Sequence, residues 1–242
     1  MQLDTTSLER LVPDELRSGD VTGEEALRIS LERYRFAAQH VRPGRLLDLA
    51  CGVGYGTRFL TDRAEQLTTA LGVDLSESAV AYATERYANE RTGFLSCDAM
   101  QFEDAECFDT IVSIETIEHL PDPEGFVEHL ISLLRPGGHL IGSVPITPSV
   151  DANPHHLHDF TDRSFRRLVG RHGLEVLDSL IQHQSFGLRA VLTRSEARLE
   201  SMRRNLPAWY LRHPGALLRR MISTLRHGFV NRYLTVVWRL PG

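Results

Sequence analysis

The run Leu46-Leu47-Asp48-Leu49-Ala50-Cys51-Gly52-Val53-Gly54-Tyr55-Gly56 reads as a buried strand that breaks into a glycine turn and resumes as a helix. Its apolar half is nearly continuous rather than alternating, the pattern of a strand covered on both faces. Glycines in the turn let the backbone come close to a ligand, and the start of the following helix favours a negative group nearby. A glycine turn of this kind also serves dinucleotide enzymes, so the residues around it must decide what it binds.

Working outward, short apolar runs at Arg45–Ala50, Leu67–Val73, Gly93–Cys97, Phe108–Ile114 and His139–Val144 alternate with helical patterns at Tyr55–Ala64, Ser76–Tyr87 and Pro123–Leu134. Strands alternating with helices predict a parallel sheet with helices on both faces. Arg135-Pro136-Gly137-Gly138 ends the last of these helices and turns into a strand. Before the first strand, Thr22-Gly23-Glu24-Glu25 fits a capping box for a leader helix over Ala26 to Val41. Beyond Pro145 come a His-rich loop, a helix from about Asp162 to His172 capped by Thr161, and strands at Leu174–His183 and Arg232–Leu240. The stretch between those two strands holds Arg-rich helical segments broken at Pro207 and Pro214.

Composition narrows the class. Of 242 residues, 42% are hydrophobic and 24% charged, which describes an ordinary globular chain. No apolar run approaches the roughly 20 residues that span a bilayer. The N-terminus shows no signal-peptide pattern, so a cytoplasmic location is expected. Cys51, Cys97 and Cys107 form no CxxC pair and read as reduced structural thiols. All 27 basic residues are Arg; eleven lie beyond Phe186 against only Glu196 and Glu200, so the tail is basic and the rest acidic. That asymmetry fits either an anionic partner or a solvated amphipathic face.

Asp74 ends the second strand about 20 residues after the turn, where a carboxylate can accept both hydrogen bonds of a ribose diol. Asp98 follows the third strand at the same edge of the sheet. Asp48-Leu-Ala-Cys-Gly-Val-Gly-Tyr-Gly56, Gly72-Val-Asp-Leu-Ser76, Cys97-Asp-Ala-Met100 and Leu134-Arg-Pro-Gly-Gly138 resemble, in order and spacing, the motifs of class I S-adenosylmethionine-dependent methyltransferases. The resemblance covers about Arg45 to Val144. It implies a Rossmann-like α/β fold with a seven-stranded, mostly parallel sheet. It also implies S-adenosylmethionine as cofactor, with Gly52 and Gly54 at the methionine part, Asp74 at the ribose, Asp98 and Ala99 at the adenine, and Asp48 and Leu75 among the cofactor-binding residues. Ile114 or Glu115 would line the wall. Glu32-Arg-Tyr-Arg-Phe-Ala37 resembles a segment that closes over the cofactor in bacterial members, with Tyr34 toward the methionine end; a plain amphipathic helix with Tyr34 and Phe36 packed inward is the other reading. The chain then divides, within one domain, into a helical leader (1–43), a cofactor-binding core (44–186), a helical insertion (187–230) and a final strand (231–242).

Methyl transfer to a neutral hydroxyl needs positioning and removal of a proton. Glu115-Thr116-Ile117-Glu118-His119 follows the fourth strand, with ionisable groups at i, i+3 and i+4, which one helical turn would bring to a single face. Two carboxylates and an imidazole suit Mg²⁺ or Mn²⁺. The segment resembles the E-x-x-E-H of ubiquinone-pathway O-methyltransferases and of small-RNA terminal 2′-O-methyltransferases, which binds a divalent ion. In the RNA enzymes a later His joins it shortly before an acidic-aromatic-Thr run. Asp159-Phe160-Thr161 is such a run, and His156 is the matching residue. Metal-free members also carry a Glu-His here, and in that case His119 or His156 is the general base; His155 and His158 read as loop residues.

Asn153-Pro-His-His also resembles, more loosely, bacterial methyltransferases acting on saccharides, although His155 departs from the aromatic residue usual there. The expected function is therefore O-methylation of a hydroxyl on a saccharide or similar small metabolite, with an anionic group that would meet the basic insertion. Metal-free N-methylation of an amino sugar or natural product, RNA 2′-O-methylation and a non-enzymatic cofactor-binding role are the alternatives. Against RNA stand the short length and an aromatic content of only 7%, which leaves few stacking platforms. Leu211, Leu217, Leu218, Met221, Ile222 and Leu225 could cap the active site or build a homodimer.

Overall fold

The computed structural model describes residues 11–16, 21–185, 203 and 205–242. The strands are β1 (Gly44–Leu49), β2 (Leu67–Asp74), β3 (Thr92–Ser96), β4 (Phe108–Ile114), β5 (Leu134–Pro145), β6 (Glu175–Ser185) and β7 (Val230–Arg239). They form one sheet in the order β3-β2-β1-β4-β5-β7-β6. The first five are parallel to one another, and β7 inserts antiparallel between β5 and β6. Strand order reverses between β1 and β4, so the crevice beyond the carboxyl ends of these strands is a topological switch point, where open α/β sheets bind ligands.

The helices are α1 (Val21–Ala38), α2 (Tyr55–Arg63), α3 (Glu77–Tyr87), α4 (Pro123–Leu133), α5 (Asp162–Gly170), α6 (Leu206–Arg212) and α7 (Pro214–His227). Side chains along a strand alternate between faces, and the core divides accordingly. Leu46, Val112, Ile141 and Val237 pack with Tyr34 and Ala37 of α1 and Leu60 of α2. Their neighbours Leu47, Ile111, Leu140 and Trp238 pack on the other face with Phe126 and Leu130 of α4 and Phe165 of α5. The continuous apolar runs are thus strands buried on both sides.

Several boundaries differ from expectation for physical reasons. The leader helix begins at Val21, so Thr22 lies inside its first turn instead of capping it. Strand pairing in β5 begins at Leu134, and Arg135-Pro-Gly-Gly138 is an irregularity within it: the register shifts between Phe108 and Thr110, where Gly137 turns at φ near 78°. Pro207 and Pro214 open α6 and α7 rather than break them, because proline suits the first helical turn, whose N–H groups have no partner. The cap expected at Thr161 is formed, and Ser164 completes it as a capping box. Residues 187–202 and 204 of the insertion lie outside the described residues.

Candidate functional site

The turn between β1 and α2 is built by two glycines in the left-handed region. Gly52 has φ near 59° and a Cβ there would meet no atom, so its backbone borders open space; Gly54, at φ near 81°, is pressed against Ala83 and Phe94. Asp74 fastens the turn to the end of β2. One carboxylate oxygen accepts the Gly52 amide at 2.8 Å and the other the Ser76 amide at 2.9 Å. An ionised carboxylate offers about four acceptor positions, so both oxygens keep capacity for a diol.

Asp48 sits beneath this turn with no solvent exposure. Its Oδ2 accepts hydrogen bonds from Thr57 Oγ1 at 2.7 Å and from the Tyr34 hydroxyl at 3.4 Å, whereas Oδ1 is buried with no hydrogen-bond partner. Burial pushes the carboxyl up to about 7; the two hydrogen bonds pull it partway back, and the charge of Asp74 adds to the rise. Tyr34 is itself buried, its ring against Gly56 and its hydroxyl on Asp48. Inward packing and contact with the site are therefore the same placement.

Leu75 is 72% exposed at the rim beside Asp74. Asp98 Oδ1 accepts the Met100 amide at 2.9 Å and so closes its own turn, with Ala99 packed against the core. Ile114 packs partly buried at the end of β4.

The segment after β4 departs from the expected helical face. Glu115 takes a left-handed backbone (φ near 52°), and only Ile117–His119 form a short 3₁₀ turn. A non-glycine residue in this region is strained, and such strain gathers at functional sites. Glu115 is turned aside: Ser143 Oγ donates to it at 2.6 Å and the Arg33 guanidinium lies 3.8 Å away. It does not join Glu118 and His119. What does join them is His156. One donor atom from each of Glu118, His119 and His156 lies within 4.8 Å of the other two, and the two imidazoles meet edge to face with centroids 4.6 Å apart.

Backbone stitching explains this convergence of residues far apart in sequence. The Glu118 carbonyl accepts the amides of Leu157 at 2.8 Å and His158 at 3.2 Å, and His158 Nε2 lies 3.0 Å from the Leu120 carbonyl. His119 Nδ1 lies 3.2 Å from the His155 carbonyl. Because a carbonyl only accepts, Nδ1 is the donor here, and in the neutral ring Nε2 is then the acceptor nitrogen. His156 Nδ1 is 2.7 Å from Ser149 Oγ, which fixes the second ring. Glu118 is fully buried, His119 and His156 half-buried.

The insertion closes over this loop through residues the sequence did not single out. Asp151, only 2% exposed, receives the Arg220 guanidinium at 2.7 and 2.5 Å and the Tyr210 hydroxyl at 2.5 Å. That clamp leaves a cleft of about 530 Å³ reaching His156, lined on the insertion side by Arg203, Trp209, His213 and Arg219. None of Leu211, Leu217, Leu218, Met221, Ile222 and Leu225 lines it; Leu211 and Leu225 are 85% and 83% exposed. Arg33 also escaped notice. It is buried, and binds Gln182 at 3.0 Å while reaching Glu115.

Comparison with known proteins identifies the family. The family described as a methyltransferase domain matches residues 23–179. A Mycolicibacterium smegmatis protein named "Probable S-adenosylmethionine-dependent methyltransferase" is 30% identical over 184 residues, covering 69% of this chain and 70% of that protein. A Coxiella burnetii ubiquinone biosynthesis O-methyltransferase is 32% identical over 116 residues, which is 46% of this chain and about half (48%) of the relative. Among solved structures, the N-methyltransferase NodS of Bradyrhizobium japonicum in complex with S-adenosyl-L-homocysteine superposes with a TM-score of 0.60 at 15% identity, over 90% of this chain and 88% of the other. The chain belongs to the class I S-adenosylmethionine-dependent methyltransferases. It is an enzyme of methyl transfer. Among the described residues no helix is long and apolar enough to cross a membrane.

Proposed function

We propose that the chain methylates a hydroxyl oxygen of a saccharide or related small metabolite, with His119 and His156 as the groups that manage its proton. The observation that carries this reading is the convergence of Glu118, His119 and His156 at the carboxyl edge of the sheet. The cofactor fits the other half of the crevice: Gly52 borders open space, and Asp48 presents a buried carboxylate oxygen with no partner, suited to an ammonium group. Asp48, Gly52, Gly54 and Tyr34 would surround the methionine part, Asp74 and Leu75 the ribose, Asp98 and Ala99 the adenine, with Ile114 as wall. When bound, the cofactor supplies a methyl group on an electrophilic sulfonium. His119 Nε2 takes the hydroxyl proton as the oxygen attacks, His156 orients the hydroxyl, and Glu118 stabilises the imidazolium that forms. General-base assistance of this kind contributes roughly 10²–10⁴-fold.

A second reading rests on the same 4.8 Å cluster. With Glu115 committed to Ser143 and Arg33, the donor set is two imidazoles and one carboxylate, which fits Mn²⁺ better than Mg²⁺, a cation that prefers oxygen ligands. Glu118, His119 and His156 would hold the ion, which would acidify the acceptor hydroxyl.

The test is transfer of labelled methyl to a panel of sugars, sugar phosphates and amino sugars, with and without chelator. Hydroxyl methylation that survives the chelator supports the metal-free reading; activity lost to it and restored by Mn²⁺ supports the second. Methylation confined to amines, and unaffected by His119→Ala, would refute both in favour of N-methylation, the activity named for the NodS neighbour.

A further inference from the structure

We infer that α7 docks the chain on the surface of an anionic lipid bilayer. The large apolar residues of this helix, Leu217, Leu218, Met221, Ile222 and Leu225, recur at the spacing of a single helical stripe. A helix packed on a globular core turns such a stripe inward, but here the stripe faces solvent. Its exposure runs from 38% at Leu217 to 83% at Leu225. The side turned toward the protein is Ala216, which is buried, with Arg220, Ser223 and Thr224 half-buried beside it. Arg220 is fixed there by its ion pair with the buried Asp151 and by the Pro148 carbonyl. The helix is thus clamped by its polar side with its apolar side outward. Leu211 and Phe229, close to its two ends in sequence, are exposed as well. Apolar surface gathered in this way marks an interaction site.

Charge decides what can cover it. From Ser201 to the C-terminus the sequence contains no acidic residue. Arg219 and Arg220 are matched by Asp159 and Asp151 from the loop after β5. Arg212 and Arg226 are exposed and, among the described residues, make no ion pair. Arg226 follows Ile222 by one helical turn and so stands at the edge of the stripe. A second copy of the chain would set this patch against itself, as a two-fold contact does. The arginines of both copies would then be gathered around the buried stripe with no carboxylate from either segment to answer them. An anionic bilayer supplies both missing partners. Its acyl region receives the leucines, and its headgroup phosphates meet the arginines at the rim of the stripe.

The same helix contributes Gly215, Ala216 and Arg219 to the cleft that reaches His156. A chain seated through α7 holds that cleft beside the headgroup layer. The docking itself does not depend on which atom is methylated.

The experiment is flotation of the full chain with vesicles of phosphatidylcholine alone or mixed with phosphatidylglycerol, at low and high salt. The chain should float with the mixed vesicles, bind the neutral ones at least tenfold more weakly, and lose affinity for the mixed ones as salt rises. Leu218→Gln combined with Leu225→Gln should weaken binding tenfold or more, because both leucines lose their apolar burial. Arg226→Gln should weaken it about fivefold, the share of one basic residue at an anionic surface. Both variants should keep the calorimetric affinity for S-adenosylhomocysteine, since none of these side chains is packed in the core. No flotation with either vesicle, equal binding to both, or wild-type binding by the double leucine variant would overturn the docking. So would a dimer in sedimentation velocity that the double leucine variant converts to a monomer, which would assign the stripe to a second copy of the chain.

Discussion

Asp48 offers a sharp handle on the cofactor site. Its carboxyl is completely buried, one oxygen has no partner, and burial holds its proton up to about 7. An ammonium group bound at that oxygen favours the ionised form, so below pH 7 the ligand must first displace a proton. With a pKa of about 7 the ionised fraction is about a tenth at pH 6 and about nine-tenths at pH 8. Affinity for S-adenosylhomocysteine should therefore tighten about tenfold between those values, roughly 1.4 kcal/mol. The same shift has a consequence without ligand. The folded carboxyl titrates above its ordinary value of 3.8, so the folded chain holds more protons than the unfolded one between about pH 4 and pH 7, and stability falls as pH rises through that window. Asp48→Asn cannot ionise. It should bind more weakly at pH 8, lose the pH dependence, and be more heat-stable relative to wild type at pH 8 than at pH 5. Isothermal calorimetry at pH 6, 7 and 8, with thermal melts of the unliganded proteins, reads all three. A wild-type affinity that stays flat over this range, or an Asn variant that keeps the slope, would refute the reasoning.

Two further substitutions probe other parts of the structure. Asp74→Ala removes the acceptor for a ribose diol and releases the Gly52 and Ser76 amides, so affinity for S-adenosylhomocysteine should fall at least about 100-fold, about 3 kcal/mol; unchanged calorimetric affinity would exclude Asp74 from the site. Asp151→Asn breaks a largely buried ion pair, a loss of about 3 kcal/mol. Hydrogen exchange in Leu206–Arg212 and Pro214–His227 should rise while the sheet stays protected, and uniform protection would show that the clamp is not what holds the insertion.

The parts of the fold that sequence makes legible are those that local pattern controls. The strand β4 runs from Phe108 to Ile114 as read, because a bounded apolar run with β-branched residues has few other options. Asp74 at the end of β2 was legible because the parallel crossover fixes which edge it reaches. Glu115 was not. Its spacing to Glu118 and His119 presumes an α-turn, but the chain leaves β4 in a left-handed conformation, and the buried Arg33 and Ser143 draw the carboxylate away. Arg33 lies far from Glu115 in sequence, and no short-range pattern announces such a pair. The cleft was hidden for the same reason: Asp151 and Arg220 stand 69 residues apart. The basic character of the insertion could be counted, but where each arginine is held depends on contacts across the fold. His156 is intermediate. Resemblance to the RNA enzymes pointed to it, and the hydrogen bonds that the Leu157 and His158 amides donate to the Glu118 carbonyl explain its position beside His119.

The most direct test of the proposed chemistry is the rate of methyl transfer to a hydroxyl acceptor by His119→Gln at saturating S-adenosylmethionine, measured beside its affinity for S-adenosylhomocysteine. Loss of the basic nitrogen should lower turnover by about 100-fold or more, with cofactor affinity within about twofold of wild type. A variant that turns over at the wild-type rate would contradict the assignment of the Glu118, His119 and His156 cluster to the reaction.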